Sequence, residues 1–544
     1  MPSLLLGPAL RHVTPRTATV WVETDTACIV EVLGHREPTF CVAGHHYALV
    51  CVDGLEPGTS TAYEVRLDGA LVWPVADDGF PPSRIRTPDP ARAIRVSFGS
   101  CRYATAGATE LTRGYGGDAL DALARALPDR PDEEWPDLLV MLGDQVYADE
   151  TTPATRRRIA ARRSLREPPG AQVRDFEEYT WLYAESWSDP EVRWLMSTVP
   201  SAMIFDDHDV HDDWNTSRAW RAGMQATPWW QERISGGLMS YWVYQHLGNL
   251  SPDELAADPT YAAVRAAEDG SKALRAYAEA ADREADGGKG ARWSHWRDLG
   301  AARLVVIDSR CGRMLDGQRS MLSPAEMRWI EERLDGSYDH LLIGTSVPWL
   351  MPPALHAVEA WDERLCERPG WRARFGERFR QGADLEHWPA FHASFAWLAG
   401  LVADVGRGRI GPGASGGGQA PATICVLSGD VHHSYVCQAS YPEAMPSRVY
   451  QVTCSPIHNM VPWFMRVAFS ISWSRVAEFC ARLVLGRLAR VPRPPLSWRR
   501  VAGPVFGNAL GSLVLSGRRA HLLIETTAGT GDRPVRRAVV RDLI

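Results

Sequence analysis

The stretch DLLVMLGDQVYADE (137–150) decides the reading of the fold. Leu138 to Leu142 is an unbroken apolar run followed at once by Gly143 and Asp144. That is the pattern of a strand buried on both faces, ending in a turn that carries a carboxylate and, three residues on, the phenol of Tyr147. The same shape recurs outward along the chain. AIRVSFGSC (93–101), SAMIFDDHD (201–209), ARLVVIDS (302–309), HLLIGTS (340–346) and ATICVLSGD (422–430) are all apolar runs closed by small or polar residues. Helical stretches lie between them: GGDALDALARAL (116–127), the Ala/Glu/Arg-rich 253–286, and SPAEMRWIEERL (323–334). Strands alternating with helices predict an α/β fold with its sheet covered on both faces.

The start of the chain reads differently. TATVWVET (17–24), CIVEVLG (28–34), HYALVCVDGL (46–55) and AYEVRLDG (62–69) are short strands separated by turn residues. LEPGTSTAYEVRL resembles the E–F corner of fibronectin III and immunoglobulin-like sandwiches, with Thr61 where a further Tyr often stands. A small all-β sandwich over 1–90, ending at the Pro-rich RTPDP (86–90), is expected ahead of a second domain over 91–544.

Four strand ends carry potential ligands: Cys101, Asp144 with Tyr147, Asp206 to Asp209, and Asp430 with His432 and His433. Sites in open α/β sheets gather beyond the carboxyl ends of strands. A single Gly-Asp at such a place is ordinarily a helix cap or turn. Four endings of carboxylate, imidazole, phenol or thiol exceed what capping needs, and a multivalent cation is the natural compensation for buried carboxylates.

Composition sets the outer bounds. The 544 residues are 45% hydrophobic and 23% charged, which excludes collagen, coiled coil and wholesale disorder. A net charge of −7 argues against a protein that coats nucleic acid. Basic charge is almost wholly Arg, with Lys only at Lys272 and Lys289. The ten cysteines form no CxxC pair and no disulfide framework, so most are expected as small buried hydrophobes. MPSLLLGPALRHVTP lacks a basic n-region, a cleavage signature and a twin-Arg motif, and no uncharged apolar run reaches membrane-spanning length. A cytoplasmic location is the expectation. The glycine-rich 406–421 reads as a loop.

LGDQVYADE, FDDHDVHDDWN, GTSVPW and LSGDVHHS, in that order, resemble the blocks of calcineurin-like metallophosphoesterases, specifically the alkaline phosphatase D (PhoD-like) family. The resemblance spans about 93–460. It implies a four-layer αββα metallophosphoesterase sandwich, preceded here by the small all-β immunoglobulin/fibronectin-like sandwich. It also implies a binuclear or trinuclear metal centre of Fe3+ plus Ca2+, with other divalent cations as alternatives. Carried over by motif, one metal would take Cys101, Asp144, Tyr147 and His432, and the other Asp144, Asp207 and Asp430. Thiolate, phenolate and imidazole suit a transition metal, and the all-oxygen set suits a hard ion. SVPW (346–349) lacks the His that the wider superfamily often places there.

The implied activity is hydrolysis of phosphomonoesters or phosphodiesters, small-molecule phosphate esters favoured at alkaline pH. His208 falls outside the ligand positions and is expected to stabilise the transition state or protonate the leaving oxygen. Arg102 is a candidate phosphate clamp. Asn215, Asp212, Asp213 and His433 are candidates for the substrate or metal surroundings. Asp308 and Arg310 are expected to pair with each other.

The segment 460–500 is apolar and aromatic, with Arg466, Arg475, Arg482, Arg487, Arg490, Arg493, Arg499 and Arg500 against Glu478 alone. It reads either as a helical cover or lid, or as a basic amphipathic surface for peripheral membrane contact. Two other functional classes therefore stand beside the hydrolase: a membrane-peripheral phospholipid-directed phosphodiesterase, and a non-catalytic binding module on the same fold. Sequence leaves the oligomeric state open.

Overall fold

Behind the motif-bearing turns, two β-sheets face each other. The computed structural model describes residues 1–75, 79–104, 114–287, 291–317, 319–414, 418–488, 491, 493–527 and 535–544. Lys289, Arg490 and the centre of the glycine-rich stretch lie outside the described residues. The first sheet has the order Ser201–Ile204, Leu138–Leu142, Ile94–Gly99, Ala509–Ser516, Arg519–Thr527, Val535–Asp542. Its first three strands are parallel, and the last three attach antiparallel. The second sheet runs His295–Leu299, Ala302–Ile307, His340–Thr345, Thr423–Ser428, Arg448–Thr453, Ser434–Ser440, Ser497–Val505.

Side-chain alternation explains the layering. In the second sheet Leu304, Val306, Leu342, Cys425 and Leu427 share one core with Val96, Phe98, Val140 and Leu142 of the first. Their neighbours Val305, Ile307, Leu341, Ile343, Ile424 and Val426 pack instead with Trp329 and Ile330 of helix Pro324–Glu332 and Phe395 and Leu398 of helix His392–Gly406. Strands apolar on both faces therefore make a sheet-on-sheet core with helices outside, the αββα layering.

Helix Ala119–Ala126 starts where Asp118 accepts the Leu120 N–H. The stretch 253–286 is divided by Pro259 and Gly270 into helices Pro252–Ala257, Pro259–Ala266 and Ser271–Asp282. The 460–500 segment begins as helices, Trp463–Ser472 and Arg475–Ala481. Its last residues enter strand Ser497–Val505 beside Ser434–Ser440, so the helical expectation stops short of 500.

The N-terminal sandwich sets the sheet Leu4–Val13, Ala18–Thr24, His45–Val52, Phe40–Val42 against the sheet His35–Pro38, Ile29–Val32, Val65–Leu67, Ala70–Trp73. Val20, Val22, Val30, Val32, Val50 and Leu67 fill its interior. Strand Ala18–Thr24 is buried along its whole length. Trp21 turns outward onto Trp187 and Tyr244, joining the core of the larger unit. Arg11, fully buried, donates to the carbonyls of Tyr244 at 2.8 Å and Gln245 at 2.6 Å. Tyr63, in the corner-like stretch, donates to the Ser197 carbonyl at 2.6 Å rather than back to its own loop.

Candidate metal centre

Four turns meet at one end of the facing sheets, and glycine permits their approach. A Cβ on Gly429 would fall on the Ser100 side chain, and one on Gly143, at φ +110°, would lie 2.5 Å from Asp206 Cβ. Backbone bonds tie the turns together. Cys101 N–H donates to the Gly143 carbonyl at 3.1 Å, Arg102 N–H to the Asp144 carbonyl at 2.9 Å, and Asp430 N–H to Ser100 Oγ at 3.1 Å. Asp209 Oδ2 accepts from the backbone N–H groups of Asp144 and Asp206, at 2.8 and 2.9 Å. Asp209 thus positions the turns; burial lifts its pKa to about 7 against those bonds.

Among the described residues, ten non-glycine residues have positive φ, and seven lie here: Cys101, Asp144, Asp213, Asn215, Asp384, Asp430 and His432. Each such conformation costs about 1–3 kcal/mol, and clusters of them mark functional sites.

Asp144, Asp206 and Asp207 each present a carboxylate oxygen within 4.8 Å of the others, and Asp207 joins a second group with Glu386 and Asp430. Asp144 Oδ1 and Asp206 Oδ2 are buried without a hydrogen-bond partner, and Asp207 Oδ1 has only the Arg310 guanidinium, at 3.2 Å. Burial, then the charges of Asp207 and Asp206, push the Asp144 pKa far above the carboxylate range. Three converging acids with orphaned oxygens on two of them fit multivalent cations, which would supply the missing counter-charge.

Arg310 is the protein's own counter-charge in this cluster. Its guanidinium, fully buried, contacts Asp206 and Glu386, and lies 3.2 Å from Asp207 Oδ1 and 3.7 Å from Asp430 Oδ1. The expected Asp308–Arg310 pair is corrected. Asp308 instead accepts the backbone N–H groups of Arg310, Cys311 and Gly312, closing the turn after strand Ala302–Ile307.

The sulfur-bearing set is less tightly gathered. Cys101 Sγ lies 3.1 Å from Ser100 Oγ and 3.7 Å from the Asp430 carbonyl oxygen, and burial, then Asp144 and Asp430, push the thiol pKa up. Tyr147, also buried, accepts a bond from Asn459 Nδ2 at 2.8 Å. Burial lowers the His432 pKa to about 4, the neutral form that binds metals. Neither Cys101 nor His432 belongs to a His/Cys/Asp/Glu group closed to 4.8 Å among the described residues.

His208 Nδ1 donates to Asp149 at 2.9 Å, its Nε2 is 4.0 Å from Asp212 Oδ1, and its ring lies 4.8 Å from that of Tyr147. Burial opposes its protonation, but Asp149, Asp207 and Asp144 outweigh it and raise the pKa well above the usual histidine value. The raised pKa favours the protonated ring, and Asp149 orients it at Nδ1, so it is suited to deliver a proton in the site.

Three expected substrate contacts have polar groups engaged within the protein. Arg102 is buried and committed: Nε donates to Asp118 at 2.7 Å, and Nη1 to the Ser186 carbonyl and hydroxyl at 2.7 and 3.0 Å. It ties the cap of helix Ala119–Ala126 to the chain, and its Nη2 lies 4.0 Å from Asp121. Asn215, fully buried, donates to the Arg310 carbonyl at 3.3 Å. His433 turns away from the carboxylates, with Nδ1 bonded to the Val431 carbonyl at 2.7 Å and its ring stacked on Phe469 at 4.3 Å. Asp213 and Asp212 do line the cluster: Asp213 N–H donates to Asp207 Oδ2 at 3.1 Å, and Asp212 stands by His208.

Sequence reasoning missed His387, Glu359 and Glu386. His387 Nε2 donates to Asp430 Oδ2 at 2.7 Å while Nδ1 bonds Glu359 at 2.9 Å. Glu359 lies inside helix Pro353–Cys366, and Glu386 and His387 follow helix Trp371–Gly382, all away from any strand end; only the charge of Glu386 and His387 in the otherwise apolar LEHWPAFH (385–392) gave a signal, and Glu359 gave none.

Comparison with known proteins places this geometry. Residues 1–85 match a domain of unknown function (DUF7800), and residues 123–350 match the PhoD-like phosphatase family. The whole fold is similar to a solved structure titled "Structure of PhoD", at 13% identity and a TM-score of 0.56, covering 99% of this chain and 91% of that one. No curated protein matches the chain.

Proposed function

From the PhoD-like phosphatase domain carried by residues 123–350, we propose that this chain is a metal-dependent hydrolase of small phosphate esters, monoesters or diesters, working best at alkaline pH. The observation that supports it most is the convergence of the Asp144, Asp206 and Asp207 carboxylates, with unpartnered oxygens on Asp144 and Asp206, beside His208. Cys101, Asp144, Tyr147 and His432 would hold a transition metal such as Fe3+, and Asp144, Asp207 and Asp430 a hard cation such as Ca2+, with Asp206 as a further oxygen donor. When bound, such ions polarise phosphate oxygens and lower the pKa of water.

The chain's own residues do the rest. Asp149 holds the His208 ring so that Nε2 faces the site, and that nitrogen gives its proton to the departing ester oxygen. His387 and Glu359 hold Asp430 in place. Asn459 fixes the Tyr147 phenol. Arg310 keeps the acidic cluster compact and limits its repulsion toward an anionic ester.

Elemental analysis together with turnover of an aryl phosphate and a bis-aryl phosphate tests the reading. Asp144→Asn should lose metal and turnover together. His208→Ala should keep its metal and lose rate by about 100-fold or more. Metal-replete protein inactive on both esters, or full activity in Asp144→Asn, would overturn it.

A further inference from the structure

We propose that the outward side of helices Trp463–Ser472 and Arg475–Ala481 docks on an anionic lipid bilayer. Apolar residues recur there at helical spacing, Trp463, Phe464, Val467 and Ile471, then Val476, Phe479, Leu483 and Val484. In a globular protein such a stripe faces the core. Here it faces solvent: Trp463 is 77% exposed, Val476 73% and Phe479 65%.

The opposite side is anchored. Phe469 stacks on His433, and Trp473 meets Tyr435 at 5.0 Å with Ser472 buried. The helices are thus fixed at their base with their apolar faces outward. Helix Pro353–Cys366 touches both this pair and helix Trp371–Gly382, which exposes Trp371 and Phe375 in turn.

Charge selects the occupant. Arg466, Arg475 and Arg482 are exposed among the apolar residues, and the one acid there, Glu478, is paired with Arg482 at 2.7 Å. Helix Trp371–Gly382 adds Arg372, Arg374 and Arg378. Aromatic and aliphatic side chains interleaved with arginine are the composition that settles at the headgroup boundary of an anionic membrane. A second copy meeting this face about a two-fold axis would set arginine against arginine. Helices of ten and seven residues are too short to span a bilayer, and no described helix is long and apolar enough to do so. They would lie in the plane of the interface. The docked surface would neighbour the metal centre, since the first helix begins four residues after Asn459, the partner of Tyr147.

Sedimentation of the full chain with phosphatidylcholine vesicles, with and without phosphatidylglycerol, tests this. The protein should pellet with the phosphatidylglycerol vesicles and be released by high salt. The variant Trp463→Ser/Val476→Ser/Phe479→Ser should bind at least about tenfold less, with turnover of a soluble aryl phosphate unchanged. Arg475→Glu/Arg482→Glu should lose the preference for the anionic vesicles. Absence of binding to anionic vesicles, or equal binding by the triple variant, would overturn the proposal. So would a dimer abolished by those serines without any vesicle binding.

Discussion

His387 Nε2 and Asp430 Oδ2 lie 2.7 Å apart, and the other ring nitrogen of His387 is held by Glu359. Burial opposes charge on this imidazole, but Glu359 and Asp430 raise its pKa well above the usual value, which favours the cationic ring against Asp430. An outer residue of this kind orients a ligand without touching the metal, and its loss typically costs 10–100-fold in metal affinity or activity. His387→Ala should therefore lower bound metal and aryl-phosphate turnover by about 10–100-fold at limiting metal, and excess metal should recover much of the turnover. Elemental analysis alongside a metal titration of the rate checks this; a rate loss that no metal concentration repairs would assign His387 a different role.

Arg310 is a fully buried cation in contact with Asp206, Asp207 and Glu386, the last shared with Arg313. Breaking a buried ion cluster by removing one partner costs about 3–5 kcal/mol, because uncompensated charge is left behind. Arg310→Met should lower the melting temperature sharply in chelator and less in the presence of divalent cation. Equal losses in the two conditions would show that Arg310 and the metals do not share these carboxylates.

Gly429 and Ser100 share one space. Gly429→Ala should lower both stability and metal content, because the new methyl falls on the Ser100 side chain and the Leu142 carbonyl lies only 3.2 Å away. Adding Ser100→Gly should restore part of the melting temperature. A stable Gly429→Ala protein with full metal would remove tight turn packing as the reason for glycine.

His45 joins the sandwich to the larger unit, with Nδ1 3.3 Å from Glu23 and Nε2 2.8 Å from Glu177 on helix Phe176–Trp187. Its bond to Glu23 raises its pKa; burial lowers it less, and Glu177 raises it further. The folded value thus exceeds the unfolded value of about 6.5. Its stabilisation is complete below that unfolded value and disappears as pH rises through the folded one. His45→Gln should flatten that limb of the stability–pH curve. Melting curves of both proteins from acid to alkaline pH check it, and parallel curves would rule the linkage out.

The acids that end strands were legible in sequence because a buried apolar run announces itself and fixes where its last residue falls. Asp144, Asp207 and Asp430 follow from that logic. Arg102 sits at such an end too, but adjacency in sequence says nothing of which way a long side chain turns, and its guanidinium runs back to Asp118. His387 reaches Asp430 across 43 residues and Arg310 reaches Asp206 across 104, from segments whose local pattern carries no sign of the contact. The sheet closure by Ala509–Ser516 onto Ile94–Gly99 is equally non-local. The strands that follow Thr423–Ser428, from Ser434–Ser440 to Val535–Asp542, were not read from the sequence at all.

Strand Ala18–Thr24 has no solvent face, since Val20 and Val22 lie inside the sandwich while Trp21 lies against Trp187 and Tyr244. Removing the N-terminal unit would strip a wall from the interior of what remains, exposing an aromatic hollow and orphaning the carbonyls of Tyr244 and Gln245 that Arg11 serves. The two stretches matched separately, 1–85 and 123–350, share one buried core. Heat or denaturant should take them apart in a single transition, and neither should persist as a folded fragment after the other has gone.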